Sequence, residues 1–85
     1  MDRIRVRLFA GARESINLET IDVELQLPAT VHHLKEAIAI QFVPLRPFVE
    51  FGRIAVNNEF ADDSEVIDSK IAQSAIALIP PVSGG

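Results

Sequence analysis

The residues best placed to do chemistry stand at the end of the printed sequence, as Ile79-Pro80-Pro81-Val82-Ser83-Gly84-Gly85. Gly84 and Gly85 have no side chains, so they could carry a carboxylate into a channel too narrow for other residues. Pro80 and Pro81 cannot donate hydrogen bonds to a sheet, and both have a fixed backbone φ angle. We therefore expect a thin arm on a stiff base, with the Gly85 carboxylate as its reacting group. The alternative is an ordinary frayed terminus.

The composition excludes several kinds of site. The chain has no cysteine, which rules out disulfides, thiol nucleophiles and thiolate-held metals. Its 85 residues, 48% of them apolar, are enough for one folded domain with a single core. The net charge of −4 and the scattered basic residues give no support for nucleic-acid binding. We expect no membrane span and no signal peptide, and hence a cytoplasmic protein.

Other polar groups of the sequence do not resemble catalytic or metal sites. The acidic stretch from Asp62 to Asp68 lacks the alternating ligands and central glycine of a calcium-binding loop, so we expect a solvated loop with at most a short helical turn. His32 and His33 would project about 100° apart around a helix, which does not suit a shared metal ion. We therefore expect no bound metal, no bound cofactor and no autonomous active site.

Apolar periodicity defines the elements that must position the tail. Residues 4–8, 21–27 and 53–57 alternate between the two faces of a strand, and residues 75–79 are a short apolar run, so all four segments are predicted strands. Between them, Val31, Leu34, Ile38 and Phe42 recur at helical spacing behind Thr30, a plausible N-cap. His33 stands where a capping box would have Glu or Gln, so no box is predicted. Pro44 and Pro47 are predicted to end this helix and form a loop.

The order strand, strand, helix, strand, strand predicts an α+β roll. A mixed sheet of four or five strands would pack on one main helix, because no other element is available to cover it. We expect the first two strands to form a hairpin and the first and last strands to lie parallel in the middle. The predicted domain spans residues 1–81, and residues 82–85 form the flexible tail.

Side-chain alternation also predicts which residues lie on the sheet face away from the helix. Phe9, Ala55, Ala77 and Ile79 fall on that face, with Phe60 just beyond a turn. An exposed apolar patch of this kind indicates a protein interface. The alternative is that the two phenylalanines curl around the sheet edges and complete the core.

The arginines at positions 3, 5 and 7 share the open face and also allow two interpretations. They could steer an acidic partner, or they could pair across the hairpin with Asp22 and Glu24, which we favour. Such exposed pairs contribute at most about 1 kcal/mol each.

The chain resembles a known family, the ubiquitin-like β-grasp proteins, and within it the small subunits of molybdopterin synthase. The resemblance rests on the terminal segment, on Val6-Arg7-Leu8-Phe9-Ala10 followed by Ala12-Arg13-Glu14, and on Ala55-Val56-Asn57. The final Gly-Gly is common to other sulfur carriers and to ubiquitin-related modifiers. The Pro-Pro-Val-Ser segment before it is more specific.

This resemblance implies a role for the tail. The Gly85 carboxylate would be adenylated with ATP, and sulfur would then replace AMP to give a C-terminal thiocarboxylate. Gly84 would provide clearance behind the reacting group. The thiocarboxylate would donate its sulfur to a pterin precursor to form the dithiolene of molybdopterin. Partner contacts are implied for Phe9, Phe60, Ile79, Pro80, Pro81, Val82 and Ser83.

The implied partners are the large subunit of the synthase, in a heterotetramer, and an E1-like adenylating enzyme. A sulfur donor such as a cysteine desulfurase or a rhodanese would also be required. Two other functions remain open at this point. The chain could carry sulfur for thiamine thiazole or cysteine synthesis, or it could be a modifier that is joined to lysines through Gly85. An inert binding module with an incidental tail is a further alternative.

Overall fold

The structure is a computed structural model, and it describes residues 1–81; the predicted tail, residues 82–85, lies outside the described residues. None of the helices in residues 1–81 is long and apolar enough to cross a membrane. Short 3-10 helices span Val43–Leu45 and Ile71–Gln73. The other elements are β1 (Asp2–Leu8), α1 (Ala10–Ile16), β2 (Thr20–Leu25), β3 (Ala29–Thr30), α2 (Val31–Gln41), α3 (Arg46–Phe51), β4 (Arg53–Val56), β5 (Glu59–Phe60), β6 (Val66–Ile67) and β7 (Ile76–Ile79).

Five of the strands form one mixed sheet in the order β2-β1-β7-β4-β5. Strands β1 and β2 pair as an antiparallel hairpin, and β1 lies parallel to β7 at the centre, as predicted. Strand β4 is antiparallel to β7, and β5 forms the far edge. Strands β3 and β6 make a separate small sheet. The predicted α+β arrangement of a mixed sheet on one main helix is confirmed.

The core lies between one face of the five-stranded sheet and helix α2. Strand β1 buries Ile4, Val6 and Leu8 and exposes the arginines between them, because successive side chains point to opposite faces. Helix α2 contributes Val31, Leu34 and Ile38 to the same core. Burying one such side chain contributes roughly 1.5–3 kcal/mol to folding. No helix or strand within residues 1–81 covers the opposite face of the sheet, which we call the open face.

Helix α2 begins with a capping box, which contradicts the sequence-based expectation. The backbone N–H of His33 donates to Thr30 Oγ1 over 3.2 Å, and the backbone N–H of Thr30 donates to His33 Nδ1 over 3.4 Å. The imidazole nitrogen therefore replaces the carboxylate or amide oxygen that a capping box normally uses. The N-cap role predicted for Thr30 is confirmed.

Helix α2 ends before Pro44, as predicted, but the loop predicted at Pro44 and Pro47 was wrong. Pro44 and Pro47 each lie in the first turn of a helix, the 3-10 turn and α3 respectively. Proline is tolerated there because the first N–H groups of a helix have no partner within it. Leu45 and Val49 from this region are buried in the core, which accounts for its regular structure. The segment between β1 and β2, for which no element was predicted, is also helical and forms α1.

The acidic segment 62–69 supports the start of α2 instead of forming only a solvated loop. The backbone carbonyls of Glu65 and Asp63 accept hydrogen bonds from the N–H groups of Val31 and His32, each over 2.9 Å. Strand β6 follows directly and pairs with β3. A short strand that was not predicted thus lies in this segment, and otherwise unpaired N–H groups at the start of α2 gain acceptors.

Candidate functional site

Strand register places four side chains in one row across the open face. Arg7 and Ala55 are both paired with Ala77, and Ala55 is also paired with Phe60. The two alanines are small, whereas the side chains at the ends of the row are large. The two alanines therefore form the floor of an open depression, which we call the face depression. Its lining consists of Arg7, Phe9, Ala55, Asn58, Phe60, Ala75, Ala77 and Ile79.

A tight turn brings Phe60 onto this face. Asn57 and Asn58 have φ angles of 51° and 69°, and the flanking Val56 and Glu59 are paired. Two positive φ angles in a two-residue hairpin loop are typical of a type I′ turn, which asparagine tolerates well. Asn57 also fixes the start of β7, because its Oδ1 accepts from the N–H of Ala75 and its own N–H donates to the Ala75 carbonyl.

Phe9 and Phe60 lie at the surface and not in the core. The two residues are 38% and 55% exposed, and both line the face depression. The alternative that they complete the core is therefore wrong. The structure brings Phe9, Phe60 and Ile79 together on the open face, and an exposed apolar cluster of this kind suits contact with another protein. Their role as partner contacts stays a prediction.

A second apolar depression lies where the tail would begin, and we call it the tail-root depression. It combines the predicted site residues Phe9, Ile79, Pro80 and Pro81 with aromatic residues from α3. Its lining consists of Phe9, Ala10, Gly11, Pro47, Phe48, Phe51, Ile79, Pro80 and Pro81. Phe51 is 67% exposed there. Ile79 therefore lies between two apolar depressions, the face depression and the tail-root depression.

Gly52 allows α3 to lie against the end of β7. A Cβ atom added at Gly52 would stand 2.3 Å from the Phe48 carbonyl oxygen and 2.6 Å from the Ile79 carbonyl oxygen. These distances leave no room for a side chain, and both neighbours are backbone atoms. Phe48, Phe51 and Gly52 were not predicted as site residues. Their signal was present, since two phenylalanines at helical spacing are followed by a glycine before a strand.

The remaining predicted site residues belong to the tail. Pro80 and Pro81 follow β7 directly and line the tail-root depression. Val82, Ser83, Gly84 and Gly85 lie outside the described residues. The reacting role of Gly85 and the clearance role of Gly84 therefore remain predictions.

The arginines of the open face have different surroundings. Arg5 Nε lies 3.3 Å from Asp22 Oδ1, so one predicted cross-hairpin pair is confirmed. Both side chains are largely exposed, and the pair contributes little to stability. Arg7 and Arg53 instead lie over aromatic rings. The guanidinium carbon of Arg7 is 5.5 Å from the Phe9 ring centroid, and that of Arg53 is 4.2 Å from the Phe60 ring centroid.

Known proteins share this fold and resemble this chain over nearly its whole length. The ThiS family model matches residues 6–85. The molybdopterin synthase sulfur carrier subunit of Arabidopsis thaliana is 28% identical over 82 residues, covering 96% of this chain and 82% of that protein.

Two solved structures are also similar. SAMP1 from Haloferax volcanii has a TM-score of 0.78 and 27% identity, covering 99% of this chain and 100% of that chain. A chain in the complex of subunits 1 and 2 of molybdopterin-converting factor from Helicobacter pylori has a TM-score of 0.65 and 24% identity, with coverage of 99% and 100%. The ubiquitin-like β-grasp fold and the resemblance to molybdopterin synthase sulfur carriers are thereby confirmed.

Proposed function

The chain belongs to the ThiS family, and on that premise we propose that it is the sulfur carrier subunit of a molybdopterin synthase. The family match includes Gly84 and Gly85. The Arabidopsis relative, whose name states this role, is similar over nearly the whole chain. The complete absence of cysteine is compatible with this function, because a C-terminal thiocarboxylate holds its sulfur without any thiol side chain.

The proposed chemistry takes place at the Gly85 carboxylate. An adenylating enzyme joins this carboxylate to the α-phosphate of ATP, and pyrophosphate leaves. A sulfur nucleophile at the hydrosulfide level then attacks the acyl carbon, where a C–S bond forms and the C–O bond to AMP breaks. AMP departs with that electron pair, and a thiocarboxylate remains. In the synthase, this group donates its sulfur to a pterin precursor.

The observation that carries the proposal is the position of Ile79 between the face and tail-root depressions. Ile79 is the last strand residue before Pro80 and Pro81. A partner that covers either depression would therefore hold the base of the tail. Four extended residues beyond Pro81 would reach about 14 Å, far enough to enter a neighbouring active site. The two prolines reduce the conformational freedom that docking must remove.

We propose the large subunit of the synthase as this partner, in a heterotetramer. The Helicobacter pylori structure contains the two subunits of a molybdopterin-converting factor in complex, which supports the assignment. An E1-like adenylating enzyme and a sulfur donor such as a cysteine desulfurase or rhodanese complete the proposed partners. The persulfide sulfur of such a donor reaches the hydrosulfide level when a thiol reductant cleaves the S–S bond and is itself oxidised to a disulfide. The cytoplasm is the proposed location. No bound cofactor is required in this chain, since the ATP is used by the adenylating enzyme.

A second candidate function is protein modification through Gly85. It is favoured by the similarity to SAMP1 of Haloferax volcanii, whose full name is small archaeal modifier protein 1. Both functions begin with adenylation of the same carboxylate. They differ in the nucleophile that follows, which is sulfur for a carrier and a lysine amine for a modifier.

Mass spectrometry separates the two functions. The protein is purified from its own cells, and its intact mass and C-terminal peptide are measured. A free Gly85 terminus in which one oxygen is replaced by sulfur supports the carrier. Branched Gly-Gly remnants on lysines of other proteins, without any thiocarboxylate, support the modifier instead. A chain that continues beyond Gly85 and carries neither modification contradicts both.

A further inference from the structure

The open face concentrates positive charge on a protein that is acidic overall. Arg3, Arg5 and Arg7 project from β1 and Arg53 projects from β4, whereas the whole chain has a net charge of −4. The acidic residues of β2 on this face are the strand partners of Arg3 and Arg5 at the sheet edge. Among residues 1–81, no carboxylate lines the face depression. The centre of this face is therefore apolar with a basic border.

Arg7 and Arg53 differ from Arg5 in how they are held. Their guanidinium groups lie over aromatic rings, and within residues 1–81 neither of them forms an ion pair. Stacking on a ring restrains an arginine without neutralising it and leaves its edge N–H groups available to an acceptor. The two arginines project from β1 and β4, which are separated by β7. Two strand spacings, about 10 Å, separate these strands. Arg7 is paired with Ala77 and Arg53 with Ile79, so the arginines are also offset by two residues along β7, and there is room for one apolar side chain between them.

We propose that Arg7 and Arg53 form a two-point carboxylate clamp for the large subunit of the synthase. The partner surface would then present an apolar side chain that fills the face depression and is flanked by two Asp or Glu side chains. Charge complementarity carries this assignment, because a basic border on an acidic protein favours an acidic partner surface. Carboxylates also suit the planar, bidentate donor set of arginine. The inference depends on the proposed function, which supplies the identity of the partner.

The experiment measures affinity for the large subunit from the same organism in low and high salt. The variants are R7Q, R53Q and the double variant, with R46Q as a matched control. Arg46 carries the same charge but begins α3, away from the open face. We expect a loss of about tenfold in low salt for each single variant, and a larger loss for the double variant. In about 1 M salt, where the Debye length is about 3 Å, the variants and the parent should converge.

The possible outcomes separate this inference from the proposed docking itself. If the double variant binds like the parent while I79E does not, the clamp is wrong and the docking face stands. If I79E also binds like the parent, the proposed docking face is wrong. An equal loss at low and high salt would mean that the arginines only support Phe9 and Phe60, and it would overturn the clamp. R7K and R53K keep the charge but lose the planar, bidentate donor set, so partial recovery of affinity with parental salt dependence supports the clamp, whereas full recovery would show that charge alone is recognised and would overturn it.

Discussion

Phe9 and Ile79 each line both apolar depressions, so their side chains form the ridge between the face depression and the tail-root depression. The parallel pairing of Leu8 with Leu78 explains this position, because it brings the next residue of each chain segment to the same end of the sheet. Phe9 then precedes α1, and Ile79 precedes Pro80. A change at either residue therefore affects both depressions and the base of the tail.

Replacing either ridge residue by glutamate should prevent docking without unfolding the protein. F9E and I79E would each place a carboxylate in an apolar interface without a partner, which costs several kcal/mol. We expect at least a hundredfold loss of affinity for the large subunit, measured by titration calorimetry. Circular dichroism and thermal melting should remain close to the parent, because neither side chain is part of the buried core.

The control for these variants is I40E. Ile40 is 73% exposed on α2 and lies outside both depressions. This variant introduces the same charge and should bind like the parent. An unfolded F9E or I79E monomer would instead place that residue in the core. Equal weakening by all three glutamates would indicate a general charge effect and contradict the ridge as the docking centre.

The sequence predicted most of the open face because strand alternation is a local property. The period of two placed Phe9, Ala55, Ala77 and Ile79 on one face, and the sheet order then brought them together. For Phe60, the sequence predicted only that it lies just beyond a turn. Its exact position depends on the positive φ angles of Asn57 and Asn58.

The tail-root depression could not be predicted in the same way. Pro44 and Pro47 were interpreted as helix breakers, but a proline can also begin a helix. The choice depends on tertiary packing, here the burial of Leu45 and Val49 in the core. The capping box was missed for a related reason. A histidine is not its usual third residue, and Nδ1 accepts from the Thr30 N–H only when the ring is turned toward it and the ring proton is on Nε2.

A single methyl group at Gly52 should destabilise the fold. In G52A the new Cβ would stand 2.3 Å from one carbonyl oxygen and 2.6 Å from another, so the backbone must move. Overpacking of this kind costs about 1–3 kcal/mol, which denaturant unfolding measures. In the control G11A, the nearest atom is the tip of the Phe48 ring at 2.9 Å, which can shift. Parental stability in G52A would show that α3 is not tightly held against β7.

The capping box should contribute measurably to stability. T30A removes the acceptor for the His33 N–H and should lower the free energy of unfolding by about 1 kcal/mol. H33A should lower it by less, and H33E should restore it, because glutamate can accept from the same N–H. The control is H32A, which removes an exposed contact with Glu36 and a tilted ring contact with His33 at 6.1 Å between centroids, but leaves both capping hydrogen bonds in place. An H32A variant as destabilised as H33A would argue against a specific cap.

The tail should matter for sulfur loading and not for folding. Deletion of Gly84 and Gly85 removes no side chain, so the melting temperature should change little. The same deletion should abolish loading, since it removes the reacting carboxyl group. A large fall in melting temperature would mean that these glycines pack against the domain, which contradicts their role as a free arm.

The decisive prediction concerns the length of that arm. A protein that ends at Gly85 is compared with one that carries an added alanine, which displaces the terminal carboxylate by about 3.5 Å. Adenylation requires the reacting carbon to be correctly positioned in a narrow site, so the extended protein should not be loaded. G84V should also load poorly, because a β-branched side chain blocks the channel and restricts φ. S83A loses only a hydroxyl group and serves as the milder control.

Each protein is incubated with the adenylating enzyme, ATP and a sulfur donor, and the exchange of one terminal oxygen for sulfur is followed by mass spectrometry. Loading of the extended protein at the parental rate would contradict the carrier mechanism, because the reacting carboxylate would then not need to be that of Gly85.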